Sequence, residues 1–535
     1  MSSLRKYLPD EREKSEIKSE VISRVMSDVF SYIKEDDSYL RKILNETVYA
    51  EIERWKSERD FPLAQPYLQF FKSLRKKLPH LYDNERKYIL KKIISVYMDE
   101  IQGHFSPLVY YLATKVVPPG LSFLLTSFSI SSMFARSFRL PSIDSHLIIH
   151  GNFEKIRKLA QKGTIILLPT HVSHMDSPII GYIVYKIGLP PFLYGAGLNL
   201  FSNPILGFFM KNLGAYKVDR KRKHKLYLDV LKEYVCTTLE REYDHIFFPE
   251  GTRSRTGEIA RKLKMGLLGC GIRSFIRNIK NKKPRPKIFI VPATLTYHIT
   301  LEAESLIKQY LEDVTREDWV SYEDEAFIIS RVIEFIKRIV EMDMKVFVKF
   351  SDVFDPFGNY VDDEGNSLDP YGRPIDPVRY VLKDGVVSED FQRDAEYTKE
   401  LASKVAETYR KDTFVLSTNL SAFVVFELGL KTTEETDEIK AITLMEGIEL
   451  DIGEVLKFID IAKEKFIKLE QQGKICVIDR VKGKTSRSIL DTASKIFSKY
   501  HRKPPFILAK NKVKIENSSL LYYYRNRLVG YTSLW

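Results

Sequence analysis

Cysteine is scarce in this sequence. The 535 residues hold three, Cys236, Cys270 and Cys476, none in a Cys-x-x-Cys pair. A disulfide framework is therefore not expected, and a reducing compartment is. The opening residues, from Met1 to Glu16, contain no apolar run, so they do not read as a secretory signal. No internal repeat and no low-complexity tract stands out. One long stretch without charge, Val116 to Ala135, is about long enough to cross a bilayer. Pro118, Pro119 and Gly120 break its start, however, and serines dilute it, so it reads as an interfacial or buried segment.

What is present fits a globular protein with ample core: 44% hydrophobic, 29% charged and 12% aromatic residues. The length suits several domains. The formal net charge of +13 suits nucleic acid, anionic lipid headgroups or phosphorylated small molecules without choosing among them.

Along the chain, residues 1–140 read as a helical N-terminal region, with Ile22, Val25, Met26, Val29 and Ile33 on one helical face. From about His146 short apolar runs alternate with amphipathic stretches. Strands are predicted at Thr164–Pro169, Ile246–Phe248, Ile288–Val291 and Val346–Val348. A helix is predicted through Leu226, Val230, Leu231, Val235 and Leu239. This is the pattern of an α/β fold, a mixed sheet with crossover helices, over residues 141–350. The Asp-, Pro- and Gly-rich stretch from Ser351 to Pro377 reads as a surface loop or boundary. Residues 351–535 are mostly helical in pattern.

Chemistry is expected beyond the carboxyl ends of such strands. The first predicted strand runs into His171-Val172-Ser173-His174-Met175-Asp176-Ser177-Pro178, with Asp176 or Ser177 as a helix N-cap and Pro178 in the first turn. A tight loop can fold the Asp176 carboxylate onto the His171 imidazole. That pairing fixes the tautomer and stabilises the charge gained when the other ring nitrogen takes a proton. It makes a general base for an alcohol.

Downstream, the apolar run through Phe201, Pro204, Ile205, Phe208 and Phe209 suits core, an acyl channel or a membrane interface. It leads through Gly214 to Arg220, which opens a basic run of Lys221, Arg222, Lys223, His224 and Lys225. The strand Ile246–Phe248 ends in Pro249-Glu250-Gly251-Thr252-Arg253-Ser254-Arg255-Thr256-Gly257. Here glycines let backbone N–H groups near an anion and arginines can grip phosphate. Lys264 can add charge, and the strand Ile288–Val291 ends near Pro292.

Together the four stretches resemble the glycerolipid acyltransferase family. His171 to Asp176, Gly214 to Arg220, Phe248 to Arg255 and Ile290-Val291-Pro292 look like its four motifs, in order and spacing. The Ser-His-Met-Asp form of the first motif, the Arg253 to Gly257 stretch and Leu521 to Arg527 are similar to the large bacterial glycerol-3-phosphate-acylating branch. Pro249-Glu250-Gly251-Thr252 also occurs in lysophosphatidate acyltransferases, which leaves the acceptor open. The resemblance implies His171 as base and Asp176 as its partner. It implies Arg220, Glu250, Gly251, Thr252, Arg253, Ser254, Arg255 and Lys264 as acceptor-binding residues, and Pro292 as shaping the site. It implies transfer from acyl-CoA or acyl-carrier protein to the sn-1 hydroxyl of glycerol 3-phosphate, with no cofactor or metal, by a peripheral enzyme on the cytoplasmic side of an anionic membrane.

Two rivals remain. His171, His174 and Asp176 form His-x-x-His-x-Asp, near a metallo-hydrolase cluster but off its usual alternate spacing. The basic runs Lys217–Lys225 and Lys280–Lys287 suit nucleic acid, but without interleaved aromatics or a recognition helix, so no nucleic-acid partner is expected. Gly483-Lys484-Thr485 imitates a phosphate loop but lacks its first glycine, since Ile478 stands there.

Overall fold

The structure is a computed structural model and describes residues 8–33, 36, 38–57, 64–116, 143–198, 201, 204–315 and 344–534. Most of the uncharged segment Val116 to Ala135 lies outside these residues. Among the described residues no helix is long and apolar enough to cross a membrane.

The centre is a seven-stranded mixed sheet. Its strands are β1 (Leu147–His150), β2 (Gly163–Pro169), β3 (Leu193–Gly197), β4 (Ala215–Val218), β5 (His245–Ile246), β6 (Lys287–Tyr297) and β7 (Val346–Phe350), in the order β1-β7-β6-β2-β5-β3-β4. β2 through β6 run parallel, whereas β7 is antiparallel to β6 and β1 runs parallel with β7. Every residue of β2 is buried, as expected of a parallel strand covered on both faces.

Two strands differ from their sequence reading. β5 is only His245–Ile246, although the Phe247 N–H still reaches the Leu167 carbonyl at 3.3 Å. Pro249 follows too soon for a longer ladder. β6 does not stop at Pro292 but continues to Tyr297. It pairs with β2 as far as Ala293 and with β7 from Ala293 onward. Pro292 is tolerated inside it because β7 gives way there to Ser351, whose N–H donates to the Pro292 carbonyl at 3.0 Å.

Ahead of the sheet come α1 (Glu11–Ile33), α2 (Tyr39–Ser57), α3 (Ala64–Lys77) and α4 (Asp83–Ile101). The most buried stripe of α1 is Ile17, Val21, Val25 and Val29, while Ile22 and Met26 are only partly covered. The buried face is thus rotated from the expected one. Pro107–Tyr111 forms the short α5, and Phe153–Lys162 forms α6. Asn152 caps α6 through its side chain and the Lys155 N–H, a cap that contributes about 1 kcal/mol. The remaining core helices are α7 (Asp176–Lys186), α8 (Pro204–Asn212), α9 (Lys225–Glu240), α10 (Cys270–Lys280) and α11 (Ala303–Thr315).

The stretch after β7 stays with the sheet. Phe354 bridges Ile290 in antiparallel fashion and is buried. The same stretch contains a repeat that composition alone hides. Asp355, Asp362 and Asp369, seven residues apart, each open a turn. Each Asp carbonyl accepts from the N–H of Gly358, Gly365 or Gly372, and each carboxylate accepts from the N–H of Asn359, Asn366 or Arg373. All three glycines have φ near +80°, which is why only glycine fits.

The C-terminal helices are α12 (Phe391–Lys411), α13 (Ser417–Thr433), α14 (Ile452–Gln471), α15 (Ser486–Tyr500) and α16 (Ser518–Arg525). α13 is buried along most of its length and forms the centre of a second core with α14, α15 and α16. Thr485 caps α15, a structural use for the phosphate-loop imitation.

Candidate active site

The carboxyl end of β2 leads into a short loop, and Asp176 is the first residue of α7. The Asp176 carboxylate is fully buried and holds the loop closed. Its Oδ2 accepts from the Val172 N–H at 2.6 Å, the Ser173 N–H at 2.8 Å and His171 Nδ1 at 3.0 Å. Its Oδ1 accepts from the Tyr297 hydroxyl at 2.6 Å. Four donors on one carboxylate fix its orientation. Because Nδ1–H donates to Asp176, the lone pair of His171 lies on Nε2.

His171 is buried and stacks on Phe248, ring centres 4.2 Å apart and planes 25° from parallel. Burial lowers its pKa, Asp176 opposes this, and the positive charges of Arg253 and Arg220 add to the lowering. The imidazole is thus neutral at neutral pH and ready to accept a proton.

Those two arginines come from separate loops. Arg220 follows β4 at the rim. It is exposed, yet enough protein surrounds it that desolvation, together with the charge of Arg253, lowers its pKa. Its loop is clamped by the N-terminal helices. Arg54 Nε pairs with Asp219 at 2.9 Å, and buried Arg222 pairs with Glu51 at 3.1 Å and Glu100 at 2.6 Å. His224 is also turned inward and caps α9. Within the basic run Arg222 and His224 are thus turned inward, while Arg220, Lys221, Lys223 and Lys225 remain exposed.

Arg253 follows β5. Its Nη1 lies 3.5 Å from Glu302 Oε1. The loop that carries it is tied to the first motif, since the Ser254 N–H donates to the His171 carbonyl at 3.0 Å. The Ser254 hydroxyl donates to the Glu258 carbonyl at 2.8 Å, within its own loop. Glu250 keeps some exposed surface but lies deep among protein atoms. Burial pushes its carboxyl up to about 8, against the opposing hydrogen bond to the His171 backbone and the charge of Arg527. Gly251 has a φ of +79° and lies against the Lys264 side chain.

The remaining sequence-predicted residues sit further out. Thr252 and Lys264 are exposed. Arg255 is exposed and ion-paired to Asp313. Pro292 is buried within β6 beside Leu168, beneath the site and not at a strand end. Among the described residues no three His, Cys, Asp or Glu side chains are grouped to hold a metal ion.

Sequence reasoning missed Tyr297, Glu302 and Arg527. Tyr297 and Glu302 stand at and just beyond the end of β6, where strand-end logic could have pointed. The Arg527 guanidinium reaches the Leu295 carbonyl at 2.5 Å, and Asn526 Nδ2 donates to the Thr256 carbonyl at 3.0 Å. Asn526 and Arg527 thus brace the loop after β5 and the strand β6. Gly257 is required here, because a Cβ would fall 2.1 Å from the Tyr523 carbonyl oxygen.

An apolar cavity of about 290 Å³ opens beside the imidazole. Phe248 lines it together with Tyr110, Gly181, Tyr194, Phe209 and Met210. The same phenylalanine therefore contacts both the His171 ring and the cavity. Leu108, Tyr111, Leu112 and Phe208, which lie beside the lining residues Tyr110, Ala113 and Phe209 in sequence, are exposed.

Residues 150–296 match the family model described as Acyltransferase. Curated relatives include a protein of Baumannia cicadellinicola subsp. Homalodisca coagulata, 38% identical over 161 residues, which is 30% of this chain and 19% of that protein. Another is from Pseudomonas fluorescens (strain SBW25), 34% identical over 157 residues, 29% of this chain and 18% of that protein. A third, from Pseudomonas aeruginosa (strain LESB58), is 33% identical over 157 residues with the same shares. Each carries the name glycerol-3-phosphate acyltransferase. The matched stretch spans under a fifth of the length of these relatives.

Proposed function

We propose that this chain, whose residues 150–296 carry an acyltransferase domain, moves a fatty acyl group from a thioester onto the sn-1 hydroxyl of glycerol 3-phosphate. One observation carries the reading: a single neutral imidazole is held by a buried carboxylate and lies within the electrostatic reach of two arginines from different loops. The acceptor's hydroxyl gives its proton to His171 Nε2 as its oxygen attacks the thioester carbonyl. Asp176 steadies the imidazolium. The imidazolium then supplies the proton for the departing thiolate. Arg253 and Arg220 hold the phosphate at the opposite end of the acceptor, where a dianion suits paired guanidinium groups.

The acyl chain lies in the apolar cavity behind Phe248. The exposed Leu108, Tyr111, Leu112 and Phe208 near that cavity suit a peripheral enzyme resting on a bilayer, which also supplies an exit for an amphipathic product. Acyl-CoA and acyl-carrier protein both fit as donors. Lysophosphatidate and dihydroxyacetone phosphate share the phosphate and hydroxyl and are the alternative acceptors. The metal-dependent hydrolase reading is disfavoured because Asp176 already accepts from four donors.

The test is a direct assay. Purified protein is offered labelled glycerol 3-phosphate, dihydroxyacetone phosphate and lysophosphatidate, each with acyl-CoA and with acyl-carrier protein. The reading expects glycerol 3-phosphate to be turned over with the highest kcat/KM. No acyl transfer to any of the three would overturn it.

A further inference from the structure

We infer that Glu302 is a positioning residue, which pins Arg253 over the acceptor pocket and fastens that arginine to the loop bearing His171. The inference rests on the acceptor reading above. Glu302 lies just past β6 and is 2% exposed. Its Oε2 accepts from the Ser173 hydroxyl at 2.8 Å and its Oε1 from the His174 N–H at 2.9 Å. Ser173 Oγ in turn accepts from the Met175 N–H at 3.2 Å. The same Oε1 stands 3.5 Å from Arg253 Nη1. One carboxylate thus touches both the segment between His171 and Asp176 and the arginine of the next loop.

The physical need is plain. Two guanidinium groups that converge on one site repel each other until a dianion arrives, and the charge of Arg253 does reach Arg220. Once ionised, a carboxylate behind Arg253 offsets that repulsion before the acceptor binds. Burying a carboxylate is costly unless it is paired and hydrogen-bonded, and here both conditions hold. Burial raises the Glu302 pKa to about 7, and Arg253 is the foremost influence against that rise. Glu302 therefore acts through Arg253, and its loss should appear in acceptor binding before it appears in the chemical step.

The experiment is a double-mutant cycle on the full chain with glycerol 3-phosphate, comparing wild type, Glu302→Gln, Arg253→Ala and the double variant. KM and kcat are measured separately, and thermal melting reports the fold. Glu302→Gln keeps the shape and removes the charge. At pH 8, where Glu302 is ionised, it is expected to raise the acceptor KM about tenfold, within the range of coupling between contacting charged residues, with a much smaller change in kcat and no change in the KM for the acyl donor. In the Arg253→Ala background the same substitution should have no further effect, since coupled residues are non-additive. Additive effects, or a fall in kcat at unchanged acceptor KM, would overturn the inference. Should Glu302→Gln melt early, Glu302→Asp keeps the charge at shorter reach and is expected to give a smaller rise in the same KM. An unchanged KM there counts against the inference. If wild type acylates lysophosphatidate but not glycerol 3-phosphate, the choice of acceptor fails while the cycle, run with lysophosphatidate, still decides on Glu302. If wild type binds no phosphorylated acceptor, both fall.

Discussion

The Tyr297 hydroxyl donates to Asp176 Oδ1 at 2.6 Å, joining the end of β6 to the start of α7. The contact does more than fill space. It draws charge away from the oxygen pair that faces the imidazole, and it holds the carboxylate plane so that Oδ2 meets Nδ1.

Removing that hydroxyl with Tyr297→Phe leaves the ring in place and should cost about tenfold in kcat, in line with a hydrogen bond to a charged group. The sign of the pH effect also follows. With one donor fewer, the Asp176 charge acts more strongly on His171 and favours the protonated imidazole, so the acid limb of the kcat profile should move to higher pH. Steady-state rates from pH 5 to 9 check both. An unmoved limb with unchanged kcat would remove Tyr297 from the relay.

The wild-type profile has its own expectation. Because the His171 pKa is lowered, the base stays deprotonated down to below the ordinary imidazole value of about 6.5, and kcat/KM should fall only under that pH. Glu250, pushed up to about 8, is protonated at neutral pH and loses its proton as pH rises through 8. Glu250→Gln imitates the protonated form. It should keep neutral-pH activity and abolish any change in kcat/KM near pH 8. A change near pH 8 that persists in Glu250→Gln would assign it elsewhere.

How much of this could be read in the chain follows from locality. β2, α9 and the His171 to Asp176 loop were legible because neighbours in sequence settle them: an all-apolar strand, a helical stripe, a turn of a few residues. β5 was read too long because its extent depends on partners β2 and β3, which meet only His245 and Ile246. Tyr297 and Glu302 were missed because the strand was read as ending near Pro292, whereas β6 runs on to Tyr297, and only the sheet order brings that end beside β2. The inward turn of Arg222 was hidden for a related reason. Arg222 finds Glu51 and Glu100 on helices far earlier in the chain, and no local pattern announces that.

The arginines should separate by role. Arg253→Ala and Arg220→Ala should each raise the KM for glycerol 3-phosphate by about tenfold or more, as loss of a charge-assisted contact does. Arg255→Ala should change it little, since Arg255 is exposed and paired with Asp313. Initial-rate measurements over acceptor concentration decide this, and equal effects at all three positions would contradict the geometry.

Gly181 offers a probe of the acyl cavity. It lines the cavity, and a Cβ built on it meets nothing within 4 Å, so a larger side chain can enter without disturbing the fold. Gly181→Leu should shift preference toward shorter acyl chains, read from kcat/KM across a series of acyl thioesters. An unchanged chain-length profile would place the chain outside this cavity.

The central claim is tested most directly by the acyl-transfer rate of His171→Ala to glycerol 3-phosphate, measured beside wild type on protein shown to be folded by its melting curve. Loss of a positioned general base predicts a fall of about 10²- to 10⁴-fold with the acceptor KM little changed. A variant that still transfers at the wild-type rate would contradict the account.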